Sequence, residues 1–509
     1  MSGKDPSAGD APDIVTVIFL NLAAGKTLTP AIVEAHAAHL DELDRRGSLV
    51  LAGPLLNRFS GLIVLQTASL AEAKAIAEED PMIRGGFQTY ELGTWIMANR
   101  QNHYRPKRAN GVETMSEQPI KIGYCLSLTG ALASNGRTAR LAHQIWEQNV
   151  NQQGGLLGRP VRMTCIDDET NPKLVADIYK RLLDVEKVDL VIGGYGDNSV
   201  APAMPLIMDR KRYLVALMAL AVNASLGYAN YFVMIPTGPR PSEALTEGFF
   251  RLAASQSPKP QSMAILAADA PFSKSPVAGA MEHASNHGFR IVSDGRYPLA
   301  TTEFAPYIQQ LKSLNPDILF LCSYLNDSVG LVRAINAVGL VPKIVGGSMI
   351  GPQNGSIKLA LGPLLNGLVN YEYWLPVPKM MSPGIEPMIA EYQSRAGAAQ
   401  ADPLGYYVAP QAYAQMQIVE QAVAGTGSLD DVKLAQFTQN QSFKTILGDV
   451  KFGVGGGWSE ARVLQVQYRN IKANDLSEFK DARTQAVVWP ADLASGALIY
   501  PYADAKQSV

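Results

Sequence analysis

The sequence has few of the features that would tie it to a compartment, a polymer or a cofactor. Three cysteines stand in 509 residues, Cys125, Cys165 and Cys322. Each lies in an apolar strand-like run and none forms a Cys-x-x-Cys pair, so buried free thiols are expected rather than a disulfide frame or a zinc site. Charge of one sign is lacking too: 44 Lys+Arg against 46 Asp+Glu leaves a net −2. That excludes the basic field that draws nucleic acid or an acidic membrane, and no nucleic-acid partner is predicted. The longest apolar run, Leu214 to Val222, falls far short of the ~20 residues of a membrane helix, so no membrane insertion is expected. The opening residues MSGKDPSAGDAPD carry neither a basic lead nor an apolar segment. Taken alone, they predict a cytoplasmic protein, with a periplasmic address as the alternative. Nucleotide and hydrolase signatures are missing. GVGGGW at 453–458 follows a short strand but leads into another strand, where a dinucleotide fingerprint needs a helix. With no GxxxxGK[ST], no GxSxG and no metal-spaced His/Cys/Asp cluster, neither cofactor nor metal is expected.

Nearly half the residues are hydrophobic, at 47%, with Gly and Pro scattered throughout. This describes a well-cored globular chain, long enough for two or three domains of roughly 100–200 residues. Residues 1–97 read as a first domain. IVTVIFL is a strand, Pro30 to Arg46 a helix stopped by Gly47, and SLVLAGPL and GLIVLQT are two strands. SLAEAKAIAEEDP is a helix capped by Ser69, and FQTYELGTWIM closes a βαββαβ order, the ferredoxin-like arrangement. Such sheets pair between subunits, so a homo-oligomer through this domain is predicted. Residues 98–118 lack apolar periodicity and read as a linker.

From residue 119 to 509 strands alternate with helices. IKIGYCLSL, VRMTCIDDE, DLVIGGYG and YLVALMAL form one set, with helices at 137–153, 172–188 and 199–212 between them. SMAILAADA, FRIVSDG, DILFLCSY and KIVGGSM form a second. Near-continuous apolar strands of this kind build doubly wound parallel sheets, so an α/β chain of two Rossmann-like lobes is predicted, lobe one near 119–235 and lobe two near 240–370. The lobes echo one another: Tyr195-Gly-Asp-Asn-Ser-Val200 and Tyr324-Leu-Asn-Asp-Ser-Val329 each follow a strand. Asn198, Ser199, Asp327 and Ser328 are expected to cap the next helices, and the strand ends are expected to face a ligand cleft.

The front segment resembles the YCII-like family over about residues 13–97, through His39-Leu40, Gly47, Ala52-Gly53-Pro54-Leu55, Glu72-Ala73, Asp80-Pro81 and Glu91 to Trp95. The resemblance implies acid–base work for His39 and Asp80. The competing reading leaves His39 beside a dimer cleft and Asp80 capping a turn, and His36 is expected to be merely exposed.

Residues 119 to about 470 resemble the leucine-binding type of periplasmic solute-binding protein. The resemblance rests on Ile122-Gly123, Leu128-Thr129-Gly130 and Gly136, QQGGLLGRP at 152–160, Asp167-Asp168-Glu169 with Asn171-Pro172, and Val191 to Gly194. Val338-Gly339-Leu340 and FKTILGDVKF at 443–452 add to it. It implies the type I periplasmic-binding fold, two lobes joined at a hinge by three chain crossings, the first two near Phe232 to Pro239 and Tyr371 to Pro378. The implied ligand wall in lobe one is Ser127, Thr129, Tyr195, Asn198, Ser199, Met218, Ala219 and Ala221. Phe272, Tyr324 and Ser348 belong to lobe two, and Tyr373 and Trp374 serve either as pocket wall or as hinge packing. The family's amino-acid binders place a Glu after the next strand, where this chain reads Val345-Gly-Gly-Ser-Met-Ile350. Without it an α-amino acid would bury an unpaired ammonium, which points instead to an amide or a carboxylate. Three functions stay open: a cytosolic sensor or complex subunit, the substrate-binding component of an ABC transporter beside its permease, or an accessory subunit of an enzyme.

Overall fold

The computed structural model describes residues 14–23, 25–55, 60–67, 69–97 and 118–507. The chain divides into two compact units, 1–114 and 115–509. The opening residues, the predicted linker as far as residue 117, and Met115, a methionine that reads like a separate start, lie outside the described residues.

The front unit has strands β1 (Ile14–Leu22), β2 (Leu49–Pro54), β3 (Gly61–Leu65) and β4 (Gln88–Ile96), all antiparallel in the order β2-β3-β1-β4. Helices Pro30–Arg45 and Leu70–Glu79 begin where Thr29 and Ser69 side chains accept first-turn N–H groups, and Pro30 loses nothing at a position without an intrahelical partner. Gly47 ends the first helix with a φ of +72°, a conformation costly for other residues. Alternation along β1 sends Ile18 and Leu20 into a cluster with Ile63, Leu65, Leu43, Ala73 and Ala77, while Val15 and Val17 meet Val64 on the other face. This is the ferredoxin-like arrangement.

The second unit is built of two lobes. Lobe one holds β5 (Ile120–Leu126), β6 (Val161–Asp167) and β7 (Leu190–Val191), parallel in the order β6-β5-β7, with the pair β8 (Leu214–Ala216) and β9 (Tyr231–Val233) beside them. The Gly193 N–H donates to Val215 O at 2.9 Å and joins the two sets. Lobe two holds β10 (Ser262–Ala268), β11 (Arg290–Tyr297), β12 (Ile318–Ser323), β13 (Ile344–Met349) and β14 (Val369–Glu372). After a hairpin of β15 (Ser442–Thr445) and β16 (Gly448–Lys451), the chain returns to lobe two with β17 (Leu464–Tyr468) and β18 (Gln485–Trp489). The sheet order is β11-β10-β12-β13-β14-β17-β18, its first five strands parallel and its last two antiparallel. The glycine pair in KIVGGSM has a packing cause: a Cβ at Gly346 would stand 1.6 Å from Val369 O on the adjacent strand.

Helices Ile385–Ala396 and Ala409–Thr426 belong to lobe one. His143 on the first helix of that lobe, Ala133–Gln152, pairs with Gln415 at 2.9 Å, and the Trp146 indole donates to Glu420 at 2.8 Å. The chain therefore crosses between lobes at residues 234–240, 373–384 and 452–463. The first and third crossings are stitched by the Thr237–Ala461 bridge and by the Arg462 N–H on Pro236 O at 2.7 Å. The helix predicted over 199–212 is broken into Asp197–Val200, a 3-10 turn Ala201–Ala203 and Met204–Asp209. Pro202 and Pro205 lack the N–H groups that would continue it.

Candidate functional site

The lobe-one wall is organised by two acids at the end of β6. Asp168, 1% exposed, accepts the Ser127 and Ser199 hydroxyls, each at 2.5 Å, and the Thr170 N–H at 3.0 Å. Asp167 accepts the Leu128 N–H and the Thr129 hydroxyl, both at 2.8 Å. Ser127, Thr129 and Ser199, expected to touch a ligand, are thus committed to carboxylates that draw the loops after β5 and β7 together. They do not line the cleft.

What those loops present is a cleft between the lobes with about 490 Å³ of empty volume, part of it open to solvent. Lobe one contributes Tyr195, Asp197, Asn198, Met218 and Leu220; lobe two contributes Phe272, Tyr324 and Ile350. Tyr373 and Tyr407 close the hinge side. Of the predicted residues, the structure brings together Tyr195, Asn198, Met218, Phe272, Tyr324 and Tyr373. Ala219 is buried behind the wall, Ala221 is only half-buried, and neither faces the cleft. Ser348 lies wholly inside β13 with its hydroxyl unpartnered. Trp374 is hinge packing: its indole donates to Met380 O at 3.1 Å and meets Tyr406 edge-on at 5.5 Å.

The expected caps also differ. The helices begin at Asp197 and Leu325, after Gly196 and Tyr324. Asp327, in the first turn, accepts the Ser328 N–H at 3.1 Å and the Tyr297 hydroxyl at 2.6 Å. Ser328 pairs with Ser323 at 2.7 Å.

Tyrosines dominate the site. Tyr373 stacks on Tyr407 at 5.7 Å and 20°, and Tyr195 meets Tyr407 edge-on at 6.3 Å, its hydroxyl donating to that of Tyr407 at 3.3 Å. Tyr324 meets Phe272 edge-on at 5.9 Å and accepts the Phe272 N–H at 3.2 Å. Burial pushes the Tyr324 phenol up to about 12, so it stays a neutral donor at physiological pH. Asp197 is the one carboxylate on the wall. Burial raises its pKa, and the Leu220 N–H, 2.8 Å from Oδ1, opposes that. Asp197 stands inside the strand-end echo, but the sequence singles out its neighbours Tyr195, Asn198 and Ser199 for the ligand wall and gives Asp197 no role. Tyr407, in GYYVAPQ at 405–411, gave no signal because it reaches the cleft from a loop remote in sequence.

In the front unit, Asp80 is 1% exposed, caps the turn Pro81–Arg84 through the Met82 N–H at 2.9 Å, and pairs with His36 Nδ1 at 2.7 Å. The predicted partner, His39, has a buried Nε2 without a hydrogen bond. The two histidines stand one turn apart on neighbouring positions of the helix surface, and it is His36, expected to be merely exposed, whose imidazole reaches Asp80. The pair can hold one imidazole tautomer.

Two open-sheet lobes, three crossings and a cleft at the strand ends define a two-lobed solute-binding protein. The chain belongs to the periplasmic binding protein family, whose profile matches residues 119–470, and it carries a YCII-related domain at 19–96. Among curated relatives, it is 21% identical over 348 residues to a leucine-, isoleucine-, valine-, threonine- and alanine-binding protein of Pseudomonas aeruginosa, covering 67% of this chain and 88% of that one. It is 22% identical over 371 residues to Leu/Ile/Val-binding protein homolog 8 of Brucella abortus, covering 71% and 91%. Solved structures share the fold. An ABC-transporter solute-binding protein of Rhodopseudomonas palustris in complex with 3,4-dihydroxybenzoic acid aligns with TM-score 0.58 at 19% identity, covering 70% of this chain and 94% of that one. A branched-chain amino acid transporter substrate-binding protein of Streptococcus pneumoniae in complex with isoleucine aligns with TM-score 0.60 at 16% identity, covering 70% and 97%.

Proposed function

We propose that the second unit closes on one small polar ligand and that the chain works as a cytosolic sensor or a subunit of a larger complex. The observation that carries the binding reading is the cleft's double wall: Tyr195 and Asp197 come from one lobe, Phe272 and Tyr324 from the other. A ligand touching both walls binds the closed arrangement better than the open one and shifts the population toward it. The sensor reading is supported by the fused front unit, whose His36–Asp80 pair adds a second chemical feature to the same chain. A second reading, the substrate-binding component of an ABC transporter, is favoured by the two solved neighbours above, both described as binding proteins of transporters.

Small-angle scattering of the full chain, with and without a panel of amides, amines, amino acids and aromatic acids, tests the first part; at least one compound should reduce the radius of gyration. Fractionating cells that make the native chain tests the second. Recovery in the cytoplasm supports the sensor, whereas recovery in the periplasm would replace it with the transporter component.

A further inference from the structure

We propose that the cleft selects a cation, an amine or alkylammonium group seated against Asp197 among the tyrosine rings. This narrows the ligand-binding reading and rests on it. Asp197 lies on the cleft wall and accepts the Leu220 N–H on Oδ1 at 2.8 Å, while Oδ2 accepts no hydrogen bond and is not among the fully buried polar atoms. That second oxygen is available to an occupant.

The rest of the lining holds no opposing charge. No Lys, Arg or His stands among the cleft residues; the wall is aromatic rings, aliphatic side chains, Gly196 and the Asn198 amide. An occupant carboxylate would face Asp197 with nothing positive to offset two anions in a partly dry site, which is unfavourable. The Leu220 N–H, which could have received such a group, already belongs to Asp197.

A cation meets the reverse situation. Burial raises the Asp197 pKa, and no cationic side chain among the cleft residues counters it. Tyr324 and Tyr373 are both within electrostatic reach of that carboxylate. Aromatic rings on the same wall as an acid suit an ammonium group, because cation–π attraction can add to the ion pair. The assignment contrasts with the solved neighbour holding 3,4-dihydroxybenzoic acid, an acid with no amine, and differs from the one holding isoleucine in needing no carboxyl group beside the ammonium.

Calorimetry on the full chain, with butylamine, phenethylamine and choline against isovalerate, benzoate and acetamide, tests the inference. At least one amine should bind at least tenfold more tightly than either acid. Asp197→Asn keeps an oxygen for the Leu220 N–H and should fold, as circular dichroism will check, yet it should weaken the amine roughly ten- to hundredfold. Tyr324→Leu removes one ring and should weaken the amine independently of Asp197. Tight binding of isovalerate or benzoate with silent amines overturns the cation while leaving a ligand-binding module. Amine binding unchanged in Asp197→Asn overturns it as well. Silence toward all six probes, with no compaction in scattering, counts against both readings.

Discussion

Replacing Asp168 with alanine should be among the most damaging single changes in lobe one, and its repair is more informative than the damage. The carboxylate accepts three donors from three different segments: Ser127 after β5, Thr170 after β6 and Ser199 after β7. Ser127 is 3% exposed and Ser199 1%, so removing the acceptor strands two buried hydroxyls that water cannot easily reach. A stranded donor costs about 1–3 kcal/mol, so the two buried hydroxyls together cost about 2–6 kcal/mol. Asp168→Ala should therefore destabilise the second unit by about 2–6 kcal/mol. Denaturant unfolding, followed through buried Trp146 and Trp374, measures it. Adding Ser127→Ala and Ser199→Ala should recover about 1–3 kcal/mol, because it removes the stranded donors. A triple variant no more stable than Asp168→Ala, or a single variant costing less than about 1 kcal/mol, would refute the clamp.

Two further outcomes are expected. His143 is fully buried beside Gln415, and burial lowers its pKa to about 4. The folded state then binds fewer protons than the unfolded one between about pH 6.5 and 4, so stability is complete above pH 6.5 and falls as pH drops through that window, by about 3 kcal/mol in all. Unfolding titrations should show this slope in the native chain and a weaker one in His143→Gln. In the front unit, His36→Ala should cost about 1–3 kcal/mol by stranding Asp80, and His39→Ala less, because the buried Nε2 of His39 has no bond to lose. Thermal unfolding of the two variants would reverse the argument if His39→Ala proved the worse.

The strands were readable because buried parallel strands are apolar on both faces, and DILFLCSY or SMAILAADA has no other comfortable home. Ser69 was readable as a cap because its partner is three residues away. The partner of Ser199 and Ser127 was not, because a hydroxyl can accept a nearby N–H, touch a ligand or donate to an acid that only the fold brings close. Here the winner is Asp168, 31 and 41 residues distant. The same limit applies to His36 and His39: both lie on the first helix, and only the path of the chain to Asp80 decides which faces the acid. Tyr407 joins the cleft across 212 residues from Tyr195, beyond any local pattern.

The three crossings also bear on how the chain is made. Neither lobe is contiguous: lobe one needs helices Ile385–Ala396 and Ala409–Thr426, and β14 in lobe two needs β17 and β18. On a ribosome working at roughly 5–20 residues per second, the stretch between β9 and Ile385 takes on the order of ten to thirty seconds to emerge. Throughout that interval the helix Ala133–Gln152 has its buried face, Trp146 included, without the helix that covers it. The front sheet, by contrast, lies within residues 14–96 and can form as soon as it clears the exit tunnel. The nascent chain thus passes through a stage with one finished domain and two half-lobes. In that window holdase chaperones have the most to protect, and a translation pause near residue 384 would lengthen the exposure.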